Sequence, residues 1–258
     1  MKNSFGNNLP IVNLYKNKSL KSGIDTQLLY GDNFRVIKKH SGWKKIRIKK
    51  DGYIGYIKKK NFSQPIKPNF KVSVLKASLF SKPNPKKKLK QFLPYESRLR
   101  IVKKNGKFAK FENHWIKISD LKKINFKHRN IFKDIKLFEN TRYLWGGKSY
   151  KGIDCSALVQ VFFNHNNKYC PRDSKDQEKF FKKKVKLKNI RKNDMIFWRG
   201  HVAVVLSRNE LIHAYGPMKK VVIMNIKKTI ERIFTLLTRI RIFAEDPSIS
   251  RWEIRFTT

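Results

Sequence analysis

The chain has 258 residues, more than the usual single domain of about 100–150, so one catalytic domain with one or two small modules is the expected organisation. Its 40% hydrophobic residues can bury real cores, which excludes wholesale disorder despite a 31% charged content. The net charge of +43, from 61 Lys+Arg against 18 Asp+Glu, brings nucleic acid forward as a partner; the lysines run through the whole chain rather than gathering in one helix or arm, so solvated faces that attract anionic substrates are expected instead.

Residues 1–21 hold no apolar run of the 7–15 residues that a secretion signal needs, and no stretch nears the roughly 20 required to cross a bilayer. A soluble, cytoplasmic protein without a membrane span is expected, with the cell wall reachable by another route such as lysis. Next comes an internal repeat. Asn13-Leu14-Tyr15 recurs as Ser78-Leu79-Phe80, Tyr30 as Tyr95, and Phe34 to Lys39 as Leu99 to Lys104, all at an offset of 65 residues, as from Leu14 to Leu79. Trp43 matches Phe108, and after a shortening Tyr56-Ile57-Lys58 meets Trp115-Ile116-Lys117. In each copy short β-branched and aromatic runs alternate with lysine between turn residues such as Gly31-Asp32 and Asp51-Gly52, which predicts small β-barrels. Pro65 and Pro68 mark the linker, and the expected boundaries are 1–66, 67–127 and 128–258.

A helical pattern through Ile131, Ile135, Leu137 and Phe138 opens the third segment. Asp154 is a good N-cap for a helix from Cys155 to about His165, with Leu158, Val159, Phe162 and Phe163 as its apolar stripe. Met195 to Trp198, Val202 to Leu206 and Leu211 to Ala214 read as successive strands, giving α+β organisation. From Asp246 the chain reads as a loosely held tail.

Two cysteines, Cys155 and Cys170, are too few for a disulfide scaffold, so a reducing compartment is expected. Cys155 has the address of a reactive thiol: a helix N-terminus stabilises the thiolate, and Gly146-Gly147 and Gly152 before it allow a sharp turn that leaves sulfur at a cleft mouth. A small buried hydrophobe is the other reading of such a cysteine. His201 opens an apolar strand after Gly200 and is the candidate base, and His213 on the next strand is the group that fixes its tautomer. Two such histidines also occur as core or metal-binding residues. With acid, base and nucleophile all supplied by side chains, no metal and no cofactor are expected. His40, His114, His128 and His165 lack such settings.

These residues together resemble the NlpC/p60 family of cell-wall cysteine peptidases. The resemblance is carried by Tyr143-Leu144-Trp145-Gly146-Gly147, by Gly152 to Gln160 around Cys155, and by Pro171-Arg172-Asp173-Ser174 with Gln177; downstream come Asn193 to Trp198, Gly200-His201-Val202 and Leu211-Ile212-His213-Ala214. The first repeat copy resembles bacterial SH3 domains through Leu28 to Asp32, Gly42-Trp43 and Gly52 to Ile57, the second less closely. The resemblance implies a papain-like domain behind two SH3-like barrels, and hydrolysis of peptidoglycan peptides at a γ-D-glutamyl bond to a diamino acid through a Cys155 thioester. It implies that Tyr143 holds the reacting carbonyl and that Asp154 and Ser156 recognise the substrate's amino end, with helix capping alone as the alternative for Asp154. This chain departs from the family at Asn193 and Ala157, where glycine is usual, and at Cys170, read as a passive apolar residue. Two other functions fit the same residues: thioester-based acyl transfer, or non-catalytic binding of wall polymer or another polyanion.

Overall fold

A computed structural model describes residues 3–234 and 241–243. The segment from Asp246 lies outside the described residues. The first unit is one antiparallel sheet built from β1 (Ser4–Gly6), β2 (Ile11–Tyr15), β3 (Ile24–Leu29), β4 (Asn33–His40), β5 (Trp43–Ile48) and β6 (Ile54–Lys58) in the order β1-β4-β5-β6-β2-β3. Alternation sets its faces. Ile46 and Ile48 of β5 point into a core with Leu14, Leu28, Phe34, Val36 and Ile57, while Lys45 and Arg47 face outward.

The second unit repeats this plan with β7 (Phe70–Val72), β8 (Lys76–Phe80), β9 (Lys88–Pro94), β10 (Arg98–Leu99), β11 (Lys103–Asn105), β12 (Phe108–Phe111), β13 (His114–Lys117) and β14 (Leu121–Lys123). Leu14 and Leu79, and likewise Ile57 and Ile116, occupy matching buried positions, so the repeat is structural as well as sequential. The copies differ where β4 is continuous and its counterpart breaks into β10 and β11. The second unit therefore splits into sheets ordered β10-β7-β14 and β11-β12-β13-β8-β9. Both units are small, β-rich and SH3-like, and neither ladder closes into a barrel among the described residues.

The repeated tyrosines dock each unit on the next. Tyr30 packs into the core of the second unit against Phe111, and Tyr95 enters the third unit's core between Phe162, Phe138 and His165. At this seam Gly31 has a φ of +83°, and a Cβ there would lie 2.1 Å from the Arg98 carbonyl oxygen, so only glycine fits.

The third unit wraps α1 (Cys155–His165) with a five-stranded antiparallel sheet. Before α1 comes the short hairpin of β15 (Lys148–Ser149) and β16 (Gly152–Ile153). After it come α2 (Ser174–Phe180), β17 (Met195–Trp198), β18 (His201–Val205), β19 (Glu210–Tyr215), β20 (Lys220–Asn225), α3 (Ile226–Phe234) and β21 (Arg241–Phe243), in sheet order β20-β19-β18-β17-β21. Every residue of α1 is buried, because the sheet covers one side and the segment around Phe132 and Phe138 the other. The pattern at Ile131 to Phe138 makes turns and a 3-10 helix over Ile135–Phe138 instead of the expected α-helix, with Ile135 and Phe138 buried. Asn193 adopts a φ of +78°, the left-handed conformation that glycine usually supplies and asparagine tolerates. Among the described residues no helix is long and apolar enough to cross a membrane.

Candidate active site

Asp154 organises the start of α1. Its Oδ1 accepts the Ala157 N–H at 2.8 Å, which caps the helix, and the Ser156 hydroxyl at 3.2 Å; Oδ2 accepts the Gly146 N–H at 2.9 Å. Arg172 then grips both oxygens at 3.0 and 2.6 Å and donates to Ser156 Oγ at 3.0 Å. Burial opposes the arginine's charge, but the Asp154 carboxylate holds its pKa above the ordinary value. Capping and ion pairing thus occupy Asp154 together.

Cys155, the first residue of α1, is 6% exposed. The backbone N–H groups of Ser156, on its own helix, and of Val202, the residue after His201, lie near its sulfur and favour the thiolate. The N-termini of α1 and β18 therefore meet at this sulfur. Burial, reinforced by the Asp154 charge, pushes the thiol up to about 12, and burial brings His201 down to about 4, so the resting pair is a neutral thiol and a neutral imidazole. His201 Nε2 lies 3.0 Å from His213 Nδ1, and His213 Nε2 lies 3.2 Å from Met224 Sδ. Sulfur can only accept here. His213 therefore carries its proton on Nε2, accepts from His201 Nε2–H through Nδ1, and leaves His201 Nδ1 as a lone pair free for the thiol proton. Trp198 stacks on His201 at 4.5 Å and Tyr215 on His213 at 4.7 Å, which fixes both ring planes. Tyr143 is half-buried beside the site, held by its N–H to the Lys219 carbonyl at 2.8 Å; burial and the neighbouring Cys155 push its phenol up to about 12. Cys155, His201, His213, Tyr143, Asp154 and Ser156 are thus all brought into one locality.

Several residues here were missed by the sequence reading. Arg172 lies in the Pro171-Arg172-Asp173-Ser174 motif, and its role comes from burial, because a buried arginine needs a carboxylate partner. The first SH3-like unit reaches the site directly: Thr26 Oγ1 accepts from Arg172 Nε at 2.7 Å, Gln27 Oε1 accepts from the Lys148 N–H at 2.8 Å, and Asp51 Oδ2 accepts from Gln160 at 3.0 Å. Tyr53 faces Asp173, whose carboxyl burial raises above its usual range. The second unit holds the other end of α1, where Arg98 donates to the Asn164 carbonyl at 2.9 Å and buried Lys71 to that of His165. No local signal in either module announces these long-range partners.

His165 is a further surprise, fully buried and stacked between Tyr95 at 4.6 Å and His128 at 5.8 Å. Burial and the nearby Lys71 charge bring it down to about 3, and burial and His201 bring His213 to about 3. Both lie below the roughly 6.5 of an unfolded histidine, so the unfolded chain gains the proton first as pH falls. Stability is therefore present above pH 6.5 and lost progressively down to about pH 3, at about 1.4 kcal/mol per pH unit per site. Thermal melts should show a marked loss between pH 7 and pH 5, and His165→Phe should reduce that dependence. An identical pH dependence in the variant would exclude His165 as a contributor.

Among the described residues no group of three or more His, Cys, Asp or Glu side chains is arranged to hold a metal ion. A capped helix that starts at a cysteine and packs on an antiparallel sheet bearing two hydrogen-bonded imidazoles, behind SH3-like units, is a papain-like cysteine peptidase fold. Residues 140–239 match the NlpC/P60 family, and residues 14–62 match the Bacterial dipeptidyl-peptidase Sh3 domain. The chain thus carries an NlpC/P60 domain with a bacterial SH3 domain ahead of it, and is a cysteine peptidase. It is 28% identical over 233 residues to the Gamma-D-glutamyl-L-lysine dipeptidyl-peptidase of Bacillus subtilis, covering 80% of this chain and 77% of that protein. Dipeptidyl-peptidase 6 of Lysinibacillus sphaericus is 35% identical over 85 residues, covering 33% of this chain and 31% of that protein. The crystal structure of an NlpC/P60 family protein from Bacillus cereus superposes with a TM-score of 0.75 at 19% identity, over 86% of this chain and 94% of that one, and shares the fold.

Proposed function

We propose that the chain hydrolyses the bond between the γ-carboxyl of D-glutamate and a diamino acid in peptides derived from peptidoglycan, with Cys155 as nucleophile, His201 as base and His213 as the group that orients it. The observation that carries this reading is the His201–His213 pair, 3.0 Å apart, with His201 on the strand whose next residue, Val202, packs with Cys155 at the start of α1. In the first step His201 Nδ1 takes the thiol proton as sulfur attacks the γ-carbonyl, and the charge left on the imidazole is steadied by His213. The oxyanion is held by backbone N–H groups at the start of α1, with Tyr143 beside the carbonyl. The tetrahedral intermediate then expels the diamino acid's amine, which takes the proton from His201. The resulting thioester is cleaved by water activated by the same imidazole, and the thiol is restored.

The substrate's amino end is assigned to the Asp154 and Ser156 region. Asp154 already accepts from Arg172, Ser156, Ala157 and Gly146, so the nearby Asp173 and Asp25 carboxylates add the further negative charge that an ammonium needs. The setting proposed is the cytoplasm, where freed wall peptides are recycled; the same chemistry serves at the wall. Mass spectrometry after incubation with L-Ala-γ-D-Glu-L-Lys peptides tests the reading. The expected products are the dipeptide L-Ala-γ-D-Glu and a peptide beginning with lysine, while the α-linked isomer stays intact. Equal cleavage of both isomers would rule out γ-glutamyl specificity.

A further inference from the structure

The two imidazoles of the site end in an uncharged group. His201 passes its hydrogen bond to His213, and His213 Nε2 stops at a thioether, Met224 Sδ, 3.2 Å away. The ladder between β19 and β20 makes this meeting. Leu211 pairs with Met224 and His213 with Val222, so His213 and Met224 stand diagonally on one face of the sheet. His213 is fully buried, and Tyr215 lies flat on its ring with the planes 11° apart. Burial keeps water from the ring, and its two nitrogens are committed to His201 Nε2 and Met224 Sδ.

Leucine would fill this place in the strand as well, since it is close to methionine in volume; what methionine adds is an acceptor. That acceptor decides between two arrangements of the same protons. With the proton on His213 Nε2, Nδ1 accepts from His201 Nε2–H, and His201 Nδ1 remains a base. With the proton on His213 Nδ1, the bond between the rings reverses. His201 then carries its proton on Nδ1 and has no lone pair for the thiol, while His213 Nε2 sets its lone pair against those of sulfur. Sulfur disfavours the second arrangement. A carboxylate in its place would favour neither, because it draws a second proton onto His213 and turns both nitrogens into donors. We propose that Met224 is a positioning residue of the peptidase: its thioether holds His213 in the Nε2–H tautomer and so sets the direction in which protons run between the two imidazoles. The proposal rests on the reading of His201 as the base for Cys155.

The test compares the full chain with Met224→Leu by proton–nitrogen correlation spectra of the histidine rings, the His213 signals being assigned by their loss in His213→Asn. The unaltered chain should carry the His213 proton on Nε2, and Met224→Leu should shift it wholly or partly to Nδ1. For release of the diamino acid product kcat should fall about 3- to 10-fold, the worth of one neutral hydrogen bond, with KM within about twofold. Met224→Gln returns a carbonyl acceptor on a side chain of similar length, and should restore both the Nε2 tautomer and most of the rate. A His213 proton that stays on Nε2 in Met224→Leu would make Met224 a packing residue and overturn the proposal, whatever the rate. So would a proton on His213 Nδ1 in the unaltered chain. If the unaltered chain cleaves no γ-D-glutamyl peptide, the functional reading fails, and the ring spectra still decide whether Met224 sets the tautomer.

Discussion

Cys155→Ala is expected to lower the rate of release of the diamino acid product by at least about 10⁴-fold while leaving thermal stability near that of the parent chain. The size follows from the chemistry, because every covalent step runs through that sulfur. Water attacking directly in its place has neither the thiol's nucleophilicity nor a position against the carbonyl. The fold survives because alanine retains the backbone N–H groups and the helix start, and Asp154 continues to cap Ala157. Cys170→Ala is the matched control. Cys170 is fully buried, and burial raises its thiol far above the working range, so this change should leave turnover intact. Loss of activity in the Cys170 variant alone would reassign the nucleophile.

Arg172→Ala is expected to cost about 3–5 kcal/mol, a large share of the roughly 5–15 kcal/mol that holds a domain folded, because it strands a buried carboxylate. Asp154 would keep its contacts to Gly146, Ala157 and Ser156 but lose the guanidinium paired with it, and the tie from Arg172 to Thr26 would go with it. Denaturant melts measure the loss. The double variant Arg172→Ala, Asp154→Asn should be more stable than the single, since the orphaned charge is gone, and that coupling is the signature of a paired site. A loss below about 1 kcal/mol in Arg172→Ala would show that water replaces the guanidinium and that the pair does not organise the helix start.

The sequence revealed the parts of this protein that are written locally. The helix expected from Cys155 to about His165 spans those residues, because Asp154 caps it and its apolar stripe is uninterrupted. The strands around His201 and His213 lie within a residue or so of where β-branched runs put them. The repeat offset located two equivalent units, since each copy needs the same leucine and isoleucine to fill its core. What stayed hidden depends on distant partners. Thr26 and Asp51 look like ordinary strand and turn residues until Arg172 and Gln160 fold against them. His165 looked unremarkable on a helix end, and its burial follows from Tyr95, 70 positions earlier, filling the space beside it. The stretch from Ile131 to Phe138 misled because buried apolar residues in a tight 3-10 turn mimic helical spacing over one turn.

Rapid quenching of the enzyme with a γ-D-glutamyl peptide, followed by proteolysis and tandem mass spectrometry, would test most directly whether a thioester forms at the start of α1. The reading predicts a transient L-Ala-γ-D-Glu adduct on the peptide containing Cys155, absent from His201→Ala. Product formation at full rate with no adduct at Cys155, or an adduct on Cys170 instead, would contradict it.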